Sequence, residues 1–306
     1  MRHTKTILTA AILSAALLSA QACARADETS HVAAPQTPPS PRAVTPSTTA
    51  TPSTVVDKDA TQPDLARHFE QFPGTFVLYD LKRDRYVRHD PARAAARFSP
   101  FSTFKIPNSL IGLETGVIKD ADFLIKWDAE KYPREGQFDF WWRDHTLRSA
   151  FRNSVVWYYR ELATRVGEQR MREFVNKFRY GNQDISGGVD RFWLNSSLRI
   201  SADEQVEFLK TLYREELPVS KRTYAVFKDI FVNEEGMGYK LSGKTGSGPF
   251  AEGRFLGWFV GYLETKDNAY VFATQIEGPT FASIRDERLR ITKSILTDLG
   301  HLPGKK

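Results

Sequence analysis

Ser102 and Lys105 stand three residues apart in the segment Ser102-Thr103-Phe104-Lys105. On a helix that spacing puts two side chains on one face, with Cβ atoms about 5–6 Å apart. The lysine then reaches the serine hydroxyl. A serine hydroxyl is a weak nucleophile that needs an adjacent base, and apolar neighbours desolvate an amine and lower its pKa. The chemistry on offer is acyl transfer to Ser102. A Ser with Lys at +3 also arises by chance, so the pair needs company. Three further segments supply it: Ser154-Val155-Val156; Tyr180-Gly181-Asn182, followed by Phe192-Trp193-Leu194; and Lys244-Thr245-Gly246. Each has a plainer reading on its own. Ser154 could be a core-facing helix residue, Gly181 a helix cap, Trp193 a core tryptophan and Gly246 a turn. A strand that ends in Lys-Thr-Gly, however, presents a cation, a hydroxyl and accessible backbone at a sheet edge, which suits a bound carboxylate.

The elements that must position these residues follow from periodicity. Residues 75–81 and 84–89 alternate as strands around a tight turn. Helical spacing covers 147–166, 168–178, 202–217 and 221–232, which places Ser154 inside a helix. Ser201 with Glu204 forms a capping-box pattern for the third of these. Strands return at 239–244, closed by Lys244-Thr245-Gly246, and at 255–264 and 269–276. The pattern adds a short helix at 64–72 and a final amphipathic helix at 283–299. Pro107 falls near the start of the helix after Ser102, where a missing N–H is tolerated. No internal repeat occurs. Strands, then helices, then strands and a helix predict an α+β domain. Its first and last strands should pair in one antiparallel sheet, with flanking helices and the helical middle as an insertion. A cleft between sheet and helices is the default place for a site.

Composition bounds the rest. The 306 residues are 41% hydrophobic and 26% charged, as in a globular domain. The pI near 9.3 includes the first residues. Three of the 43 basic residues (Arg2, Lys5, Arg25) precede Asp27, and none of the 37 acidic ones does. What remains nearly cancels, which argues against a nucleic-acid partner. Residues 1–26 read as a secretory signal: a basic start, an apolar run over 7–20, and A-x-A patterns at Ala22-Cys23-Ala24 and Ala24-Arg25-Ala26. That run is shorter than the ~20 apolar residues a membrane span needs, so the mature chain is expected to carry no transmembrane helix. Cys23 offers another reading, a lipid anchor, although Ala20-Gln21-Ala22 lacks the Leu that usually opens a lipobox. Cys23 is the sole cysteine, so a disulfide framework, Cys-ligated zinc and a catalytic thiol are excluded from the mature protein. Residues 27–62 are rich in Pro, Thr, Ser and Ala. Six prolines lie between Pro35 and Pro52, and no aromatic residue precedes Phe69. Such a segment reads as a disordered tether, with the catalytic domain spanning 63–306.

Taken together and in order, these segments resemble the class D serine β-lactamases, the oxacillinases. The P-x-S-T-F-K, S-x-V, Y-G-N, F-W-L and K-T-G segments all occur, and the stretches 110–117, 155–159 and 257–262 match as well. The likeness runs from about Phe69 to Leu299. It implies the β-lactamase/penicillin-binding (transpeptidase-like) fold, hydrolysis of β-lactams such as penicillins, resistance to them, and a periplasmic location. It also implies roles. Ser102 would be the acylated nucleophile and Lys105 a CO2-carboxylated general base, with no other cofactor and no metal. Trp193 would donate to the carbamate, with Val156 and Leu194 as its apolar wall. Ser154 would relay protons to the leaving nitrogen. Lys244, Thr245 and Arg288 would hold the substrate carboxylate, Arg290 being the weaker candidate. The N–H groups of Ser102 and Ser247 would form the oxyanion hole, and Tyr180-Gly181-Asn182 would shape the site. Phe101 stands where the family often has Ala. Ser247 occupies a position where aromatic residues also occur. Either Trp141 or Trp142 could wall the groove.

Two rivals stand beside this reading. A penicillin-binding peptidase or β-lactam sensor shares Ser-x-x-Lys and Lys-Thr-Gly but differs in deacylation. Peptidases commonly carry Ser-x-Asn where this chain has Ser154-Val155-Val156. The other rival is a secreted binding or structural protein that has lost activity, against which Ser102, Lys105, Trp193 and Lys244 argue.

Overall fold

Alternation along the first strand shows how the core is divided. Phe76 and Leu78 pack in one apolar cluster with Phe259, Phe272 and Ile295. Val77 and Tyr79 pack in the other, with Leu110, Leu209 and Val260. Successive side chains of a strand point to opposite faces, so the sheet lies between two cores. A fully buried Phe or Leu contributes about 1.5–3 kcal/mol, and both faces of this strand collect it.

The computed structural model describes residues 63–136 and 138–303. The expected signal (1–26), the tether (27–62) and Cys23 lie outside the described residues, so the domain boundaries drawn there are untouched by it. The chain opens with β1 (Gly74–Asp80) and β2 (Arg85–His89), then a short α1 (Pro91–Ala95) capped by the Asp90 side chain. A 3-10 turn, Phe101–Phe104, runs straight into α2 (Lys105–Glu114). β3 (Leu124–Ile125) and β4 (His145–Thr146) make a small separate sheet. Five helices follow: α3 (Leu147–Arg152), α4 (Val156–Val166), α5 (Glu168–Lys177), α6 (Ala202–Tyr213) and α7 (Lys221–Phe231). β5 (Val232–Gly236), β6 (Tyr239–Pro249), β7 (Phe255–Thr265), β8 (Ala269–Gly278), α8 (Phe281–Arg285) and α9 (Glu287–Asp298) complete it. The main sheet has six strands in the order β2-β1-β8-β7-β6-β5, and every neighbouring pair is antiparallel. First and last strands pair as expected, from Gly74↔Ile276 to Asp80↔Tyr270. The Ser201–Glu204 capping box is present. Among the described residues, no helix is long and apolar enough to cross a membrane.

Several expectations are corrected. The expected helix at 64–72 is a single 3-10 turn, Ala66–His68, because Phe69 leaves the helical region to bury its ring against His89. The expected helix at 147–166 is two. Ser154 N–H donates to Phe151 O at 3.2 Å and Val155 N–H to Ala150 O at 2.9 Å, with Ser154 at φ +56°. This is a Schellman close with Ser in the left-handed position usually given to Gly. Ser154 is thus a turn residue, not a helical one. α5 closes the same way at Arg179 (φ +50°), so Gly181 is not its cap. Lys244-Thr245-Gly246 does not close a strand. β6 continues to Pro249, paired with β7 all the way from Tyr239↔Thr265 to Pro249↔Phe255. β5 was not expected at all. Its Asn233, Glu234, Glu235 and Gly236 are poor strand formers, and it is held as an edge by β6. α6 stops at Tyr213, short of 217, and the final helix breaks at Asp286 into α8 and α9.

Candidate active site

The nucleophile turn is held in a strained backbone. Phe101, immediately before Ser102, sits at φ +48°, a region costly for a residue with a Cβ. Its N–H donates to Trp193 O at 3.1 Å, and its buried ring packs on Gly248 of β6. The bulk that distinguishes Phe101 from Ala is therefore absorbed by a glycine across the site. Gly246 is needed for the same reason: a Cβ there would lie 2.7 Å from Pro100 O and 3.1 Å from Thr103 N. Strand and turn touch through it.

Lys105 begins α2 and is 0% exposed. Its Nζ donates to Ser102 Oγ at 2.7 Å, and the Tyr159 ring centroid lies 5.3 Å away. Burial pulls the Lys105 ammonium down to about 7, so a large fraction of the amine is neutral near pH 7. Trp193 is also 0% exposed and stacks on Phe104. Among the described residues its buried indole N–H has no hydrogen-bond partner, an arrangement that costs about 1–3 kcal/mol unless an acceptor is supplied.

Lys244 comes from β6 and is 4% exposed. Its Nζ donates to Ser154 Oγ at 3.0 Å and to Thr245 O at 3.0 Å. Burial, then the positive charges of Lys105 and Arg288, hold it well below the usual lysine value. Arg288, in the first turn of α9, donates from Nη1 to Gly246 O at 2.7 Å. Its buried Nε has no partner among the described residues, and burial lowers the guanidinium to about 10. Arg290 points away, exposed and paired with Glu287 at 2.7 Å. Of the two arginines, Arg288 is the one at the site.

Ser102, Ser154, Val156, Leu194, Thr245, Ser247 and Arg288 all line one groove of about 940 Å³. Lys105, Trp193 and Lys244 lie buried beside it. Trp141 lines this groove and Trp142 does not, which settles the choice between them. The Trp141 indole N–H donates to Asn153 O at 2.9 Å, and the Trp157 indole N–H donates to Trp141 O at 2.6 Å. Ser247 lies on the stretch of β6 that β5 leaves uncovered, since their pairing ends at Val232↔Ser242. Ser102 sits in the first turn of a helix, where N–H groups lack intrahelical acceptors. Tyr180-Gly181-Asn182 is a clamp. Asn182 accepts from Arg199 N–H at 2.9 Å and donates to Ser197 O at 2.8 Å. Gly181, at φ +56°, passes so close to Arg199 O that a Cβ would fall 2.1 Å from it. The loop carrying Trp193 and Leu194 is fixed by that contact. Sequence reasoning missed the groove walls Phe138, Phe140, Phe255 and Phe281. No motif marks them, although the aromatic density of 138–142 was a usable signal. It also missed Arg152.

A buried amine touching a serine hydroxyl, with a lysine from β6 and an arginine from α9 close by, suits acylation of that serine by an anionic carbonyl compound. The comparisons with known proteins agree in kind. Residues 74–299 match the family described as penicillin binding protein transpeptidase domain. The "Probable beta-lactamase YbxI" of Bacillus subtilis (strain 168) is 45% identical over 68% of this chain and 76% of its own length. The structure titled "Crystal Structure of the Beta Lactamase Class D YbXI from Nostoc" superposes with a TM-score of 0.74 at 41% identity, covering 78% of this chain and 99% of that one. The regulatory protein BlaR1 of Bacillus licheniformis is 36% identical over 79% of this chain, which spans only 39% of that protein. With the family model matching most of its length and such identity to full-length enzymes, the chain belongs to the penicillin-binding protein transpeptidase family and, within it, to the class D serine β-lactamases.

Proposed function

We propose that this β-lactamase works through an acyl-Ser102 intermediate with Lys105 carboxylated on Nζ. The observation that carries the proposal is the buried Lys105 amine, 2.7 Å from Ser102 Oγ and shifted to about 7. A neutral, dry amine reacts with CO2, whereas a solvated lysine, with pKa about 10.4, is almost wholly protonated at neutral pH. The surrounding residues fit a carbamate. Trp193 brings a buried N–H in need of an acceptor, and Val156 and Leu194 are apolar neighbours on the groove. When present, the carbamate supplies an anionic oxygen that takes the proton of Ser102 and, later, of water.

The chain's own residues do the rest. Ser102 Oγ bonds to the lactam carbonyl carbon and the C–N bond breaks. The N–H groups of Ser102 and Ser247 stabilise the oxyanion that forms in between. Ser154, which accepts a hydrogen bond from Lys244 at 3.0 Å, relays the proton given up by Ser102 to the departing nitrogen, so the base is free again for water. Lys244, Thr245 and Arg288 hold the substrate carboxylate. Water then gives its proton to the base and attacks the ester carbonyl, the bond from carbonyl carbon to Oγ breaks, and the proton passes to Ser102 Oγ. Export to the periplasm and a role in β-lactam resistance extend the proposal. They are supported by the pattern of residues 1–26, with lipidation at Cys23 as the alternative way of keeping the enzyme at the membrane.

A protein named as regulatory, BlaR1, is 36% identical over 79% of this chain, so turnover is what discriminates. A chromogenic cephalosporin should be hydrolysed many times per enzyme. Intact mass after mixing with a slowly hydrolysed β-lactam should rise by the ligand mass, and Ser102→Ala should show no adduct. One acylation followed by a stall would favour a regulatory domain, and an equal adduct on Ser102→Ala would remove Ser102 from the mechanism.

A further inference from the structure

Arg152 ends α3, two residues before Ser154, and is exposed. It lines the groove together with Ser154 and Thr245. It also lines an adjoining cleft of about 290 Å³ between α3, α7 and the β5–β6 hairpin, which Lys244 and Thr245 share. The other cations of this region are committed. Arg148 pairs with Asp229 at 2.7 Å and with Asp122 at 3.6 Å. Arg285 pairs with Asp286 at 3.1 Å, Arg288 is bound to Gly246 O, and Lys244 to Ser154. Arg152 has no hydrogen bond or ion pair among the described residues. The acids facing it are few. Asp229 is the one that lines the cleft, and it is taken by Arg148. Glu135 is the one acidic side chain lining the groove among the described residues. The junction of groove and cleft therefore offers an uncommitted guanidinium beside Lys244 and Thr245.

We propose that Arg152 is a specificity determinant that favours β-lactams carrying a second anion on the ring-side substituent and disfavours those carrying a cation there. The inference rests on the proposed seating of the substrate carboxylate at Lys244, Thr245 and Arg288. In a cephalosporin the ring carbon bearing the variable substituent is bonded to the carbon bearing that carboxylate, while the acylamino group lies at the opposite end. Seating the carboxylate at Thr245 directs the variable substituent along the wall that Arg152 shares with Thr245, and the cleft provides room for it. Arg152 acts on the substituent by charge and by a forked set of donors that matches carboxylate or sulfonate. It touches no reacting atom.

The test uses three cephalosporins with one common acyl side chain and ring-side substituents that are anionic (a sulfonated thiomethyl heterocycle), neutral (acetoxymethyl) or cationic (pyridiniomethyl). In Arg152→Gln, the anionic-to-neutral ratio of kcat/KM should fall about two- to fivefold, and the cationic-to-neutral ratio should rise by a similar factor, as expected for one exposed charge pair. Arg152→Lys should keep most of the wild-type ratios. The difference between wild type and Arg152→Gln should fade between about 0.01 M and 1 M salt, over which the Debye length falls from about 30 Å to 3 Å. Ratios that do not change in Arg152→Gln, or change equally at high salt, overturn the proposal. So does an equal loss on all three substrates, which is the mark of a merely structural role. Failure of the wild type to turn over any of the three also overturns the proposal, and a penicillin in the same assay tells that outcome from a failure of the hydrolytic reading beneath it, which would leave the penicillin intact as well.

Discussion

At the residue scale, burial decides what the sequence left open. Arg288 and Arg290 are two positions apart and chemically identical. One is 6% exposed with an unpartnered Nε, and the other is surface-paired with Glu287. Removing one partner of a desolvated charge pair costs about 2–5 kcal/mol. Arg288→Ala should therefore lower kcat/KM at least thirtyfold for substrates with a free carboxylate, and far less for the corresponding esters. Arg290→Ala, a surface change, should stay within about 0.5 kcal/mol, or a factor of two to three. Steady-state kinetics on an acid–ester pair measures both, and a larger loss in Arg290→Ala would reverse the assignment. Ser102 and Lys105 were legible because a three-residue spacing alone brings them together. The unpartnered indole N–H of Trp193 was not, because whether a buried donor has an acceptor is a property of the packed core. Arg152 was invisible for the opposite reason: its interest lies in the partners its neighbours take and it lacks.

At the element scale, periodicity read the interiors and missed the ends. The break between α3 and α4 does not disturb the apolar repeat, so 147–166 reads as one helix although Asn153, Ser154 and Val155 form a turn. β6 failed differently. Gly246, Ser247, Gly248 and Pro249 have loop propensities, and pairing with β7 overrides them. The first error falls where a site residue needs an unusual backbone, Ser154 at φ +56°. That observation yields a prediction. A left-handed residue with a Cβ costs roughly 1–2 kcal/mol. Ser154→Gly and Ser154→Ala both delete the hydroxyl that accepts from Lys244, but only glycine relieves the backbone. Both variants should lose most activity, and the glycine variant should be the more stable by about 1 kcal/mol in urea unfolding. An alanine variant as stable as the glycine one would mean that the turn at φ +56° is not strained.

At the scale of the whole molecule, the site is assembled where separate layers meet. Ser102 and Lys105 come from the helical side, Lys244 to Ser247 from the sheet, and Arg288 from the C-terminal helix, whose Ile291 and Ile295 belong to the opposite core. No local segment forms the lysine pocket, so the pocket exists only in the folded state, and its chemistry must be linked to stability. The folded-state pKa of Lys105 is lowered to about 7 from 10.5. Between those values the unfolded chain keeps a proton that the folded one has released, so this group makes stability rise with pH across that window, by up to about 1.4 kcal/mol per pH unit. Below about pH 7 both states are protonated and the burial of the charge is borne in full. Carboxylation takes up only the neutral, buried amine, and a species that binds the native state alone stabilises by RT ln(1 + [L]/Kd), about 2.7 kcal/mol at 100 Kd. Added bicarbonate should therefore raise the melting temperature of the wild type in CO2-free buffer at pH 8. The rise should be several degrees, since 1 kcal/mol is worth about 2–4 °C in a domain of this size, and it should shrink at pH 6 as the amine protonates. Lys105→Met has no amine to carboxylate and should show no bicarbonate increment at either pH, whatever its own stability. Calorimetry of both proteins with and without bicarbonate makes the comparison without using activity. An equal rise in Lys105→Met would trace the effect to general salt stabilisation and reject a carboxylated Lys105, while leaving acylation of Ser102 in place with the unmodified amine as its base.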